Sequence, residues 1–188
     1  MPSFPKLLIV IAASATALAA QKLPFSSQGP LPGHTGGFGE PNCRACHYDY
    51  DLNEGPFAIR MDSLPASYEP ERQYTLQLLV RHAALKRGGF QLTARFEDGS
   101  AAGKLGTADS TLLRIQSWRG IDYLSHTVAG ADQVRGDSVV WRFTWTAPAS
   151  DKRVVFNVAV NVANQDASEF GDRIFTGSFS SGGERVRK

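Results

Sequence analysis

A chain of 188 residues with 42% apolar residues holds one ordinary domain and a short appendage. Its formal net charge of +2, with 20 basic against 18 acidic residues, gives no reason to expect nucleic acid. No basic run suggests a membrane surface, and two cysteines are too few for a disulfide framework.

The N-terminus reads as a signal peptide over residues 1–20. Lys6 supplies the positive n-region, Leu7 to Ala20 are almost wholly apolar, and Ala17-Leu18-Ala19 fits a small-x-small cleavage site. The stretch is short for a bilayer span. The sequence therefore predicts a periplasmic or extracellular protein with no membrane span after cleavage. Residues 21–56 read as an extended Gly/Pro-rich segment. Ser26-Ser27-Gln28-Gly29-Pro30-Leu31-Pro32-Gly33 and Gly36-Gly37-Phe38-Gly39 cannot sustain a helix or a long strand. They lead into Cys43, where a short helix is allowed, and Asp49 to Pro56 follow as a loop.

From Phe57 the pattern changes to period two. Tyr74, Leu76, Leu78 and Val80 form one alternating set, and Phe90, Leu92, Ala94 and Phe96 a second. Val139, Trp141, Phe143 and Trp145 form a third, and Val154, Phe156, Val158 and Val160 a fourth. One apolar face at this period means a half-buried strand. Weaker strands are expected at 58–62, 112–117, 122–127 and 174–180. Turn signals separate them, at Lys86-Arg87-Gly88-Gly89, Glu97-Asp98-Gly99-Ser100, Ala129-Gly130-Ala131-Asp132 and Ala147-Pro148-Ala149. The fold class is all-β, an Ig-like antiparallel β-sandwich over residues 57–182. Lys86, Arg87 and Arg95 read as solvated strand-edge residues. Residues 183–188 form a solvated basic tail with Arg185, Arg187 and Lys188.

Chemistry concentrates in Cys43-Arg44-Ala45-Cys46-His47. Two thiols at this spacing suit the two vinyl groups of one covalent haem c, and the adjacent His suits the iron as proximal ligand. Haem c is attached outside the cytoplasm, so the signal peptide and the motif support each other. Competing readings are a redox pair, half a zinc site and a plain disulfide. A redox pair wants a βαβ context, and zinc wants a second ligand pair; neither is present in the sequence. A disulfide closing so small a loop stabilises little.

The sixth iron ligand has four candidates: His34, Met61, His82 and His126. His126 shares parity with Leu124 and Val128, so it is expected on an apolar face, and it leads. Met61 is the runner-up, because a thioether would raise the potential. An open iron position is the third arrangement. Phe38, Tyr48, Tyr50 and Phe57 flank the motif and could wall the haem, with Phe38 and Tyr48 foremost. Asp166, Glu169 and Asp172 lie in a stretch rich in oxygen donors. Calcium is one reading of it and Asx-turns the simpler one. No Gly-x-Ser-x-Gly, His-Glu-x-x-His or phosphate loop occurs, so no enzyme is expected.

Residues 33–47, from Gly33-His34-Thr35-Gly36-Gly37-Phe38-Gly39-Glu40 to Cys46-His47, resemble the opening of bacterial exported Reeler-like proteins of the choice-of-anchor V type. The likeness continues through Arg87 to Ala94, Tyr123-Leu124-Ser125-His126-Thr127, Phe143 to Pro148, Asn161 to Asn164 and Phe170-Gly171-Asp172. The resemblance implies a Reeler-like sandwich with the Cys-x-x-Cys-His loop at its N-terminal side, and it singles out His126. The expected function is a mono-haem cytochrome that transfers electrons to an unidentified redox protein, with self-association left open. The alternatives are an Ig-like extracellular binding or adhesion module in which Cys43–Cys46 is a disulfide, and a haem sensor with an open iron.

Overall fold

The four strictly alternating segments build the middle of two facing sheets. In the computed structural model, which describes residues 29–183, they are β3 (Gln73–Arg81), β4 (Arg87–Phe96), β8 (Ser138–Thr146) and β9 (Val154–Ala163). The expected signal peptide over 1–20 and the basic residues from Arg185 onward lie outside the described residues. Six further strands complete the sandwich: β1 (Ala58–Asp62), β2 (Ser67–Tyr68), β5 (Lys104–Gly106), β6 (Leu113–Trp118), β7 (Ile121–His126) and β10 (Arg173–Gly183). One sheet runs β1-β3-β8-β5 and the other β2-β10-β9-β4-β7-β6. Every ladder is antiparallel except β2 with β10. The all-β sandwich expected from period two is the observed architecture. The two shortest strands, β2 and β5, carry too few residues to show a period.

Alternation explains the core directly. Leu76, Leu78 and Val80 of β3 and Val139, Trp141, Phe143 and Trp145 of β8 face Phe90, Leu92 and Ala94 of β4 and Val154, Phe156, Val158 and Val160 of β9, all buried. The buried indoles are satisfied: Trp141 donates to the Gly130 carbonyl at 2.8 Å and Trp145 to the Ala102 carbonyl at 3.0 Å.

The outer face of the six-stranded sheet departs from the expected pattern. In β4 the outward residues Gln91 and Thr93 are fully buried and Arg95 is 6% exposed. A polar outer face can be buried only if something polar covers it. The cover is the segment expected to be a linker. Residues 29–42 form an arm lying against this face. Gln91 accepts from the His34 amide at 2.6 Å and donates to the Leu31 carbonyl at 2.9 Å. Arg114 donates to the Pro30 carbonyl at 2.9 Å. Gly37 packs so closely on Asn157 that a Cβ would lie 2.3 Å from its side chain, so only glycine fits there.

Glu40 anchors the far end of the arm. Its carboxylate pairs with Arg95 and accepts from Tyr123 at 2.5 Å and from Thr35 at 2.6 Å. Arg95 is therefore not a solvated strand-edge residue. It sits in a central strand and is neutralised from the arm. Phe38, held at φ +53°, lies beside it with the guanidinium carbon 5.2 Å from the ring centroid. The chain turns back at this point, with Gly36 donating to the Pro41 carbonyl and Glu40 to the Gly37 carbonyl. The return leg delivers the Cys-x-x-Cys-His onto the same face.

Burial alone would raise the Glu40 carboxyl, but the bonds from Thr35, Tyr123 and Arg95 outweigh it and hold it below its ordinary 4.5. A depressed carboxylate stabilises the fold above the unfolded value and loses that contribution as pH falls through the folded one. Glu40→Ala leaves Arg95 buried and unpaired, an expected loss of about 3–5 kcal/mol. Urea unfolding should read this loss near neutral pH, and the gap to wild type should narrow as pH drops below 4.5. Equal midpoints at neutral pH would contradict the anchoring role.

Candidate functional site

The motif folds as a single 3-10 turn over Cys43–Ala45. Asn42 caps it, its side chain accepting from the Arg44 amide at 2.8 Å, as a short polar side chain does at a helix start. The Cys46 and His47 amides both reach the Cys43 carbonyl, at 3.2 and 3.0 Å. Cys43 opens this turn and Cys46 is its C-cap. Cys43 is half-buried and Cys46 is exposed. Burial pushes the Cys43 thiol up to about 12, with nearby Cys46 adding to the shift. A thiolate ligand or redox nucleophile needs the opposite shift. A neutral sulfur, as in a thioether or a disulfide, suits the burial.

His47 is held from outside the motif. Its Nδ1 lies 2.8 Å from Oδ2 of Asp172, whose side chain is 1% exposed. Asp172 stands at the end of the loop between β9 and β10. It also accepts from Asn161 at 2.9 Å, on Oδ2, and from the Asn164 amide at 3.2 Å, on Oδ1. The Asn161 amide nitrogen is 3.4 Å from His47 Nδ1. The imidazole is thus tied through Nδ1, and Nε2 makes no hydrogen bond among the described residues. The residues after the motif are tied to the same loop and strand. Asp49 accepts from the Gly171 amide at 2.7 Å, and Asn53 exchanges backbone and side-chain bonds with Ile174 and Thr176 of β10. Arg173 pairs with Glu54 and stands over the Tyr50 ring at 3.7 Å.

His126 reaches this place from the other side. By register it would face Phe90, but the ladder between β4 and β7 stops one pair earlier, at Gln91–Ser125. The ring fills the gap. Its Nδ1 lies 2.9 Å from the Phe90 nitrogen and 3.1 Å from the Phe90 oxygen. In one tautomer Nδ1 accepts from the Phe90 N–H and the ring proton sits on Nε2; in the other Nδ1–H donates to the Phe90 carbonyl and Nε2 keeps a lone pair, which is the form a ligand role requires. The ring edge lies against Gly89, where a Cβ would sit 2.9 Å from Cε1, 3.3 Å from Nε2 and 3.5 Å from the Asn161 Cβ. His126 therefore leaves the apolar core face expected from its parity and turns toward the face that carries Asn161 and His47. Burial drives it down to about 4, and the charges of Arg114, Arg87 and His47 push the same way against a Phe90 backbone bond that raises it. It stays neutral at physiological pH.

Of the residues singled out in the sequence, Cys43, Cys46, His47, Tyr48 and His126 come together. Tyr48 packs edge-on against Phe170 at 6.1 Å, and both are largely exposed. Phe38 does not join them. It sits by Arg95, six strand residues and about 20 Å from Gly89. Met61 does not join them either. It lies in β1 of the other sheet, opposite Leu78 and packed against the core. His82 is buried beside Phe175 at 5.3 Å and accepts from the Ala84 amide. His34 turns its Nδ1 to the Leu31 carbonyl at 3.0 Å. The acidic loop divides its carboxylates: Asp166 accepts from Ser168 within a local turn, whereas Asp172 serves His47. Among the described residues no three His, Cys, Asp or Glu side chains converge as a cage for a bare ion.

Gly89 and Asn161 are not singled out as site residues in the sequence, and Asp172 is singled out there for calcium and not as the partner of His47. A glycine inside an otherwise β-rich run signals close approach of another group, and Gly89 carried that signal.

These residues fit a haem c. Cys43 and Cys46 stand at the two ends of one turn, His47 offers Nε2, Gly89 leaves the space that the His126 ring takes, and Oδ1 of Asn161 is buried without a partner among the described residues. The exposed rings of Tyr48 and Phe170 offer apolar surface beside the motif.

No protein-family model and no curated protein matches the chain. Solved structures do. The Reelin-N domain of F-spondin aligns with a TM-score of 0.54 at 18% identity, over 76% of this chain and 96% of that one. The human F-spondin reeler domain aligns with a TM-score of 0.47 at 18% identity, over 70% and 94%. A non-cellulosomal cohesin from the archaeon Archaeoglobus fulgidus gives 0.37 at 10% identity, over 65% and 91%. The first of these establishes the fold: the chain is a Reeler-like β-sandwich. No helix among the described residues is long and apolar enough to cross a membrane.

Because His126 titrates near 4 instead of 6.5, stability falls as pH drops through that interval, where the unfolded chain takes a proton that the folded one refuses. Gly89→Ala should displace the ring and return its titration toward 6.5, read by NMR on haem-free protein. A midpoint that stays near 4 would show that Gly89 does not hold the ring.

Proposed function

We propose that this chain is an exported Reeler-like sandwich, of the choice-of-anchor V kind, that carries one covalently attached haem c and passes single electrons to a protein partner. The observation that carries this reading is the pairing of two anchored imidazoles. His47 in the Cys-x-x-Cys-His and His126 from β7 are each fixed through Nδ1, to Asp172 and to Phe90, at one place on the outer face. Cys43 and Cys46 would hold the haem as thioethers, each thiol adding across one vinyl double bond. His47 Nε2 would be the proximal ligand and His126 Nε2 the sixth. Bound haem supplies the one-electron couple. The chain's own residues keep His126 neutral, aim both imidazoles, and cover one side of the site with the arm. Tyr48 and Phe170 offer an apolar contact for a small, transient encounter.

A second reading has its own support. The likeness to a Reelin-N domain favours an extracellular binding module in which Cys43 and Cys46 form a disulfide. The exposed Tyr48 and Phe170 serve that reading equally well. A third, a haem sensor with an open iron, requires His126 to stay off the metal.

A pyridine haemochrome spectrum of protein exported together with haem-attachment machinery separates the two haem readings from the binding module. The cytochrome reading expects a covalent c-type signal that Cys43→Ser/Cys46→Ser abolishes. No signal in the wild type overturns it in favour of the binding module. With haem attached, His126→Ala should alter both the oxidised and the reduced spectra. Unchanged spectra would leave the sixth position to another group or open.

A further inference from the structure

The loop between β9 and β10 does more than join two strands. It places a buried carboxylate, Asp172, against the outward nitrogen of the motif histidine. An isolated carboxylate at 1% exposure would be costly, so its partners explain its presence. They are the Asn164 amide on Oδ1, and the Asn161 amide with His47 Nδ1 on Oδ2. Two donors thus share a single oxygen, and one of them is the histidine. Asp166 and Glu169 of the same loop take no part. The approach of Asp49 to the Gly171 amide fixes the loop against the motif from the other side.

We propose that Asp172 is a positioning residue that sets the electron-donating strength of His47, and that Asn161 moderates it by competing for Oδ2. This rests on the haem reading above. A carboxylate accepting from Nδ1–H draws that proton, enriches the ring in electron density and makes Nε2 a stronger donor. A stronger donor stabilises the ferric state and lowers the reduction potential. Asn161, by donating to the same oxygen, withdraws part of that charge from His47. The two residues therefore act in opposite directions on one observable. Simple damage to the site would move both variants the same way.

The test uses full-length protein matured with haem. Covalent attachment is read by pyridine haemochrome and the midpoint potential by optical redox titration. Asp172→Asn should keep the haem and raise the potential, so that the reduced-to-oxidised ratio at fixed ambient potential increases on the order of tenfold. Asn161→Ala should keep the haem and lower the potential. Asp172→Glu, which restores a carboxylate, should return the potential toward wild type. If Asp172→Asn does not fold, the sign of the Asn161→Ala shift decides: a fall upholds the proposal and a rise overturns it. Unchanged potentials in haem-loaded variants overturn the role of Asp172 and leave the haem reading standing. A wild-type protein without covalent haem overturns both.

Discussion

The structure depends on how the outer face of β4 is satisfied. Its inward residues, Phe90, Leu92 and Ala94, make an ordinary sandwich core. Its outward residues, Gln91, Thr93 and Arg95, carry an amide, a hydroxyl and a guanidinium into burial. Such groups are tolerated only when partnered, and a guanidinium only when its charge is met. The arm partners the Gln91 amide through Leu31 and His34 and meets the Arg95 charge through Glu40, while Arg95 Nε is buried without a partner among the described residues; Thr93 donates instead to the Asp122 carbonyl. Because Glu40 lies just before Cys43, the same contact that neutralises Arg95 turns the chain back and lays the motif over β9.

This geometry gives two histidines a common surrounding without placing either in the core. His47 comes from the returning arm and His126 from the end of a ladder that stops one pair short. Each is tied through Nδ1 to a group that belongs to the sheet or its loop. Rings fixed in this way have little orientational freedom left to lose. The burial that keeps His126 neutral also keeps its lone pair available, since an imidazolium cannot ligate. Gly89 is the small residue that makes the approach of the ring possible.

Much of the sandwich was legible in the sequence because period two is a local signal. Leu76, Leu78, Val80 and their counterparts in β4, β8 and β9 declare their face without reference to the rest of the chain. The motif was legible for the same reason, since Cys43, Cys46 and His47 are adjacent. The arm was not legible. Gly and Pro mark residues 29–42 as neither helix nor long strand, which is true, but composition cannot say that such a segment packs. Arg95 was misread for the matching reason, since a charged residue in an alternating strand looks solvated until its partner 55 positions away is known. Phe38 is near the motif in sequence but is carried to the far end of β4 by the turn at Gly37–Glu40. Met61 is separated from it by the assignment of β1 to the opposite sheet. Asp172 was noticed for its oxygen chemistry, although only the three-dimensional path of the arm reveals that its partner is His47.

The central claim is that Cys43 and Cys46 are bridged by one haem and not by each other. Intact-mass measurement of the mature protein under denaturing conditions tests this most directly, because thioether bonds survive denaturation and bound but unattached haem does not. The account predicts the mass of the mature chain plus one haem, with no thiol left to alkylate. The mature chain short of two hydrogens, with both thiols released by reductant, would contradict it.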